Sequence, residues 1–439
     1  MNKRELIYQQ FLQPFEKEGR KNIGVELEFP LLNLDKAPVC AKVTSGLMFY
    51  LCANGFKAEE CDGEDLPVFV SNEQGDVLSF DNSFNNFEFS MEKSEDLYAV
   101  SKRFYDYFGM VQGYLTMNNH SLCGMGINPY KKYITKSQVD IEVYSMVREY
   151  LAGFHGGNFH EYPDFPAYLS SIQTHLDVPI NELPRAFTLF ARLDFVRALL
   201  FSNSLPFTQM DGFDDTICFR DYLWEKSGFG ALADNVGKVN GAFKTLEDII
   251  DSFLRKSMFY RIRGGKYDLF APQTIGDYFE NQDNFKDMET YLSFKNIEIT
   301  KRGTLEVRSD CTQPVCDAFA PAAFNLGIFI SLNEAEALME GFFDAHNITK
   351  NNAILRDDVI YHNQLPSNKE AVIELLVSLV SLASNALIKR NKNEEILIKP
   401  LFQRAKTAIC PALRTKHRLA QGESIEDIIK AYSTVSACD

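Results

Sequence analysis

The chain has 439 residues, 45% of them hydrophobic and 36 of them Phe, so it can bury a large core and is not an intrinsically disordered polymer. A net charge of −15 excludes non-specific binding to nucleic acid or to acidic membranes, which needs a basic surface. A small anionic substrate stays open, provided that metal ions or a local Arg cluster supply the positive charge.

The N-terminal segment "MNKRELIYQQFLQPFEKEGRK" is charged throughout and has no apolar core of the signal-peptide kind. Its Leu6, Ile7, Phe11, Leu12 and Phe15 recur near the 3.6-residue period and predict a helix. "KNIGVELEFPLL" follows as a strand. In a strand Glu26 and Glu28 share one face while Val25, Leu27 and Phe29 take the other. "VTSGLMFYLCANGF" predicts a helix ended by Asn54-Gly55. "DLPVFVSNEQGDVLSFDNSFNNFEFS" alternates between turn signals and predicts antiparallel strands. Residues 91 to 119 read as helix, "GMGINPY" as a loop, and "SSIQTHLDV" as a strand. Residues 181 to 204 read as one long amphipathic helix through Leu189, Leu193, Val196 and Leu200, and "GTLEVRSD" as a late strand.

Beyond about residue 320 the pattern is almost wholly helical, with capping boxes expected at Ser367–Glu370 and Ser424–Asp427. The longest apolar run, residues 371 to 388, carries Glu374, Ser378, Ser381 and Asn385 as a polar stripe, which predicts a buried helix and not a membrane span. There is no regular βα alternation and no long linker. The expected fold class is therefore antiparallel α+β, with a catalytic body over residues 1–330 and a helical C-terminal part over 331–439 packed on it.

Four strand candidates carry an acidic or metal-capable group on the polar side: Glu26 and Glu28; Asp81 and Glu88; Gln173, His175 and Asp177; Glu306 and Arg308. A solvated sheet face explains any one of these alone. A solvated face usually mixes Lys, Thr and Ser among its acids, whereas this set repeats carboxylates with one Gln/His pair and one Arg. Hard carboxylate oxygens are what Mg²⁺ requires, and a dication between Glu26 and Glu28 turns a repulsive pair into a site.

These segments together resemble the glutamate–cysteine ligase family, in its plant and bacterial branch. "GVELEF" resembles the family's G-x-E-x-E strand, "DNSFNNFEFS" its D-x6-E segment, "CGMGINPY" its glycine loop and "SIQTHLDV" its V-Q-V-N-L-D strand. "FSNSLPF" with "FRDYLWEKSG" is similar to the segment after the long helix, and "GTLEVRSDCTQP" to the Y-L-E-V-R strand. The six stand in the family's order over about residues 22 to 314.

The resemblance implies the curved antiparallel sheet of glutamine synthetase and the guanidino kinases. It implies ATP as co-substrate and Mg²⁺, with Mn²⁺ as an alternative, at Glu26, Glu28, Asp81, Glu88 and Glu306, and at Gln173 or His175 on the fourth strand. It implies Arg308 on the transferring phosphoryl group beside Glu26, a substrate pocket bordered by Gly124, Gly126, Asn128, Arg220 and Trp224, and cytoplasmic ligation of L-glutamate to an amine, L-cysteine first among candidates. A different amine, or a non-catalytic nucleotide- or amino-acid-binding role on the same scaffold, are the alternatives.

Three further features stand apart. "YRIRGGKY" brings Arg261, Arg263 and Lys266 next to two glycines, a candidate nucleotide contact without a P-loop frame. His155 and His160 lie in a Gly-rich loop that lacks a zinc pattern, so loop histidines are the default. The nine Cys form no C-x-x-C pairs; reduced thiols of a cytoplasmic protein are expected, with Cys311 and Cys316 as a candidate redox pair.

Overall fold

The computed structural model describes residues 2–16, 22–134, 139–154, 159–206, 213–232, 234–280, 285–290 and 292–435. His155 lies outside them. Thirteen strands are present among the described residues: β1 Ile23–Asn33, β2 Lys57–Cys61, β3 Pro67–Ser71, β4 Val77–Phe80, β5 Asn86–Ser94, β6 His120–Leu122, β7 Ser171–Leu176, β8 Val236–Gly237, β9 Ser257–Arg263, β10 Lys266–Thr274, β11 Phe294–Lys295, β12 Ile297–Ile299 and β13 Leu305–Cys311. Nine of them form one open sheet in the order β12-β13-β7-β1-β5-β4-β3-β2, with β6 on the far end of β1, and every pairing in it is antiparallel. The α+β expectation is met.

The sheet divides its two faces as β1 predicts. Val25, Leu27 and Phe29 are fully buried. Phe29 meets Phe104 and Phe108 of the helix Leu97–Met117 with ring centroids 5.9 and 5.5 Å apart, and Phe89 of β5 meets Phe104 at 5.1 Å. The helices Leu97–Met117 and Ala320–Ile330 therefore cover the apolar face, and the carboxylates are left on the other. The helix Lys369–Arg390 packs behind Ala320–Ile330. It is the one single helix among the described residues long and apolar enough to cross a bilayer by length and composition, yet Val372, Leu376, Leu379, Val380 and Leu387 are buried inside the fold, as its polar stripe predicts.

Several boundaries differ from the sequence reading. Residues 91 to 94 continue β5, because Met91 pairs with Val25, and the helix starts only at Leu97. The long helix of 181–204 is two, Leu183–Arg192 and Asp194–Phe201, broken at Leu193, where Asp194 turns inward to buried arginines. Asn368, and not Ser367, caps the helix Lys369–Arg390 by accepting from the Ala371 N–H, while Ser424 caps its helix as expected.

Candidate active site

Strand register builds the site. Glu28 of β1 pairs with Glu88 of β5, Glu26 with Gln173 of β7, and His175 of β7 with Glu306 of β13. All sit on one face, where Glu26, Glu28, Asp81, Glu88, Gln173 and Arg308 help line one hollow of about 260 Å³, while His175 and Glu306 stand next to Glu26 outside that lining. Apolar side chains also line the hollow: Val143, Val147, Leu169, Phe229, Leu292 and Phe294. Arg220 and Trp224 also line it, both from the helix Phe219–Glu225. Trp224 stacks on Phe294 with ring centroids 4.5 Å apart. A narrow branch beyond Arg220 and Arg308 reaches Asp221, Gly237 and Asn296.

Two trios of candidate metal ligands stand in this region: Glu28, Asp81 and Glu88; and Glu26, His175 and Glu306. In each trio one ligand atom per residue lies within 4.8 Å of the others. In the first, burial and the neighbouring Asp81 carboxylate push the Glu28 carboxyl up to about 7. Burial also raises Asp81, and it raises Glu88 further with help from Glu26, Asp81 and Glu28. Hydrogen bonds partly hold the group: the Ser171 N–H donates to Glu28 Oε2 at 2.8 Å, Gln173 Nε2 to Glu28 Oε1 at 2.8 Å, and the Tyr144 hydroxyl to Asp81 at 3.2 Å.

The second trio has cationic neighbours that offset its two carboxylates. His175 Nε2 stands 3.2 Å from Glu26 and 3.7 Å from Glu306. Burial would raise the Glu26 carboxyl, but His175 and Arg308 outweigh it and hold the group at about 2. Burial disfavours the charged imidazole of His175, while Glu26 and Glu306 raise it overall. Arg308 bonds Glu306 through Nη1.

A hard divalent cation fits this donor set. The ligands are carboxylate oxygens with one imidazole, and the Gln173 Oε1 carbonyl oxygen is buried without a hydrogen-bond partner among the described residues. His175 belongs to a trio; Gln173 instead orients Glu28 and leaves its carbonyl free to ligate.

Other sequence candidates fall elsewhere. Gly124, Gly126 and Asn128 do not line the hollow. A Cβ on Gly124 would sit 2.5 Å from the Tyr432 carbonyl oxygen, and one on Gly126 would sit 2.7 Å from the Cys311 Cβ, so Gly124 lets backbones approach and Gly126 makes room for the Cys311 side chain. Asn128 is buried and accepts from the Tyr130 N–H.

Arg261, Arg263 and Lys266 lie on the β9–β10 hairpin, also outside the hollow. Arg261 is paired with Asp268 at 2.8 Å and Arg263 grips Asp287 through both terminal nitrogens, so two of the three basic groups have acidic partners within the chain. His160 bonds the Leu223 carbonyl oxygen at 2.7 Å. Cys316 is disulfide-bonded, so the all-thiol expectation fails there, while Cys311 is free and its Sγ lies 3.6 Å from that of Cys218; Cys311 and Cys316 are not a pair.

The sequence reading missed Tyr144 and the apolar part of the lining. Val143, Tyr144 and Val147 follow a one-face helical spacing that carries no chemical signature, and Phe294 sits on a two-residue strand.

No protein-family model and no curated protein sequence matches the chain. Solved structures do. A glutamate–cysteine ligase from Francisella tularensis, in complex with AMP, is 12% identical with a TM-score of 0.54, over 95% of this chain and 88% of that one. A bifunctional glutathione synthetase from Pasteurella multocida is 13% identical with a TM-score of 0.51, over 98% of this chain. The chain spans 52% of that protein's length. At such identity the likeness is one of fold: the open antiparallel sheet with flanking helices that these ligases have.

Proposed function

We propose that the chain is an ATP- and Mg²⁺-dependent carboxylate–amine ligase that activates the γ-carboxylate of L-glutamate and joins it to an amine, with L-cysteine as acceptor. The observation that carries this reading is one hollow lined by the trio Glu28, Asp81 and Glu88 together with Arg308 and Glu26, the last belonging to a second trio with His175 and Glu306. The fold shared with a glutamate–cysteine ligase supports it.

In this reading Glu28, Asp81 and Glu88 would hold one divalent ion, and Glu26, His175 and Glu306 a second. Bound ions supply charge that offsets the triphosphate and the charge developing on the phosphoryl group. Arg308 directs its planar fork at the transferring phosphoryl group, with Glu306 holding it in place. The γ-carboxylate oxygen attacks the γ-phosphorus and ADP leaves, giving an acyl phosphate. The amine nitrogen then attacks the carbonyl carbon, phosphate leaves, and the proton lost by the amine passes to the departing phosphate. The apolar side chains of the lining would limit access of water to the acyl phosphate, which water would otherwise hydrolyse.

The test is to incubate the purified protein with ATP, MgCl₂ and L-glutamate against a panel of amines, following phosphate release and product mass. A γ-glutamyl amide formed with L-cysteine supports the reading in full. Turnover with another amine moves the acceptor. No amine-dependent ADP formation with any member of the panel overturns it.

A further inference from the structure

Behind the hollow lies a buried ionic knot that the chemistry above does not use. Arg356, on the helix Asn352–His362 of the C-terminal part, is 1% exposed. Its Nε donates to Asp221 Oδ2 at 2.7 Å and its Nη2 to Asp221 Oδ1 at 3.2 Å. Its Nη1 donates to the Asp194 carbonyl oxygen at 2.8 Å and to Asp194 Oδ1 at 3.2 Å. Nη2 also reaches the Ser309 carbonyl oxygen at 3.3 Å.

The identity of these partners matters. Asp221 directly follows Arg220, and Ser309 directly follows Arg308. Those two arginines both line the hollow and its narrow branch. Asp194, the remaining partner, accepts from Asn296 Nδ2 at 2.7 Å and from the Ser309 hydroxyl at 2.8 Å, and the Asn296 carbonyl oxygen accepts the Arg308 backbone N–H at 2.9 Å. One guanidinium thus ties together the backbone positions next to both cations of the site. Buried ion pairs of this kind often add little net stability over an apolar isostere. The geometric consequence is clearer: two like charges, which repel each other, are mounted on the helix Phe219–Glu225 and on β13, and Arg356 bolts those elements together.

We propose that Arg356 is a positioning residue that fixes the separation and aim of Arg220 and Arg308. The inference rests on the ligase reading for its catalytic arm only. A displacement of about 1 Å in a charge stabiliser costs on the order of 10²-fold in rate. The fork of Arg356 cannot be reproduced by an ammonium, so Arg356→Lys keeps the charge and loses the geometry.

The experiment uses Trp224, the chain's only tryptophan, three residues after Asp221 and in the wall of the hollow. Acrylamide quenching of its fluorescence reports the local geometry whether or not the protein turns over. Arg356→Lys, and Asp221→Asn as a second variant should the first fail to fold, are compared with the parent by quenching, thermal unfolding and, with ATP, L-glutamate and an amine, kcat and KM. The expected result is a changed quenching constant in a folded variant, with kcat down about 10²-fold and KM for ATP within about threefold. Unchanged quenching and unchanged kcat, with only a lower melting temperature, would make Arg356 purely structural and overturn the proposal. If the parent shows no ligase turnover, the functional reading fails by itself, and the quenching arm still decides the positioning claim in either direction.

Discussion

Glu28 of β1 stands directly opposite Glu88 of β5 in the antiparallel ladder, on the face that forms the hollow. Side chains so paired sit about 4.5–5.5 Å apart at Cβ, and like charges there repel. Burial and the Asp81 carboxylate together push the Glu28 carboxyl up to about 7. In the proposed reading the pair costs stability without a cation and holds one when it is present. Glu88→Gln should therefore raise the stability of the metal-free protein by about 1 kcal/mol. The same change should remove most of the Mg²⁺-induced stabilisation, which for one site reaches about 2.7 kcal/mol at a hundred times the dissociation constant. Urea unfolding with EDTA and with MgCl₂ checks both halves. Equal Mg²⁺ stabilisation of parent and variant would remove this trio from consideration as a metal site.

Arg308 and Glu26 carry the second prediction. Loss of a preorganised charge stabiliser costs roughly 10²–10³ in kcat. Arg308→Ala and Glu26→Gln should each lower ADP formation by at least that factor while circular dichroism stays native. Arg308→Lys should recover only part of it, because the ammonium lacks the fork. Full activity in either variant would detach that residue from the chemistry.

How far the sequence could reach depends on the range of the interaction that decides each feature. The period of two in "GVELEF" is local, so the division of Val25, Leu27 and Phe29 from Glu26 and Glu28 was readable, and with it the polar face of the sheet. The helix break at Leu193 was not. The apolar repeat runs straight through it, and the turn is stabilised by Asp194 reaching Arg356, 162 positions away. The same distance hid Arg356, which reads as one more charge on an amphipathic helix. Gly124 and Gly126 show the limit in the opposite sense: a glycine loop signals close approach, but not whether a ligand or another part of the chain approaches. In the β9–β10 hairpin the basic cluster was visible and its partners, Asp268 and Asp287, were not recognised as such.

That hairpin supports a prediction of no effect. Arg261 pairs with Asp268 on the surface, and exposed pairs contribute about 0–1 kcal/mol. Arg261→Ala and Lys266→Ala should leave KM for ATP within about twofold and stability within about 1 kcal/mol. A tenfold rise in KM in either variant would return the hairpin to the nucleotide site.

Asp221 gives the pH dependence. Burial pushes its carboxyl up, but Arg356, with Lys238 and Arg220 behind it, pulls it well below the usual carboxylate range. A depressed folded-state pKa contributes stability that is fully present above the unfolded value, about 3.9, and is lost as pH falls through the folded one. Asp221→Asn, which leaves Arg356 without its anionic partner, should cost roughly 3–5 kcal/mol at pH 7. The gap between parent and variant should narrow as pH drops below about 4. Denaturant unfolding at pH 7 and at pH 3 measures it, and a gap of constant size would show that the carboxylate's charge is not what matters.

Gly327 tests how the helices cover the sheet. It lies on Ala320–Ile330, where that helix crosses Lys369–Arg390, and its backbone φ is not in the left-handed region. Only space is at issue. A Cβ built there would meet the Ala383 carbonyl oxygen at 2.6 Å and the Ala383 Cα at 2.7 Å, both of them main-chain atoms that cannot rotate away. Ala is the better helix former by about 1 kcal/mol, so on an exposed helix the change would stabilise. Here the two helices must separate, and overpacking of this kind costs about 1–3 kcal/mol. Gly327→Ala should therefore destabilise, and Gly327→Ala combined with Ala383→Gly should recover part of the loss, because the second change removes one of the clashing atoms, the Ala383 Cβ at 2.7 Å. A stabilised single variant would mean that the helices do not approach this closely, and that the apolar face of the sheet is covered in another way.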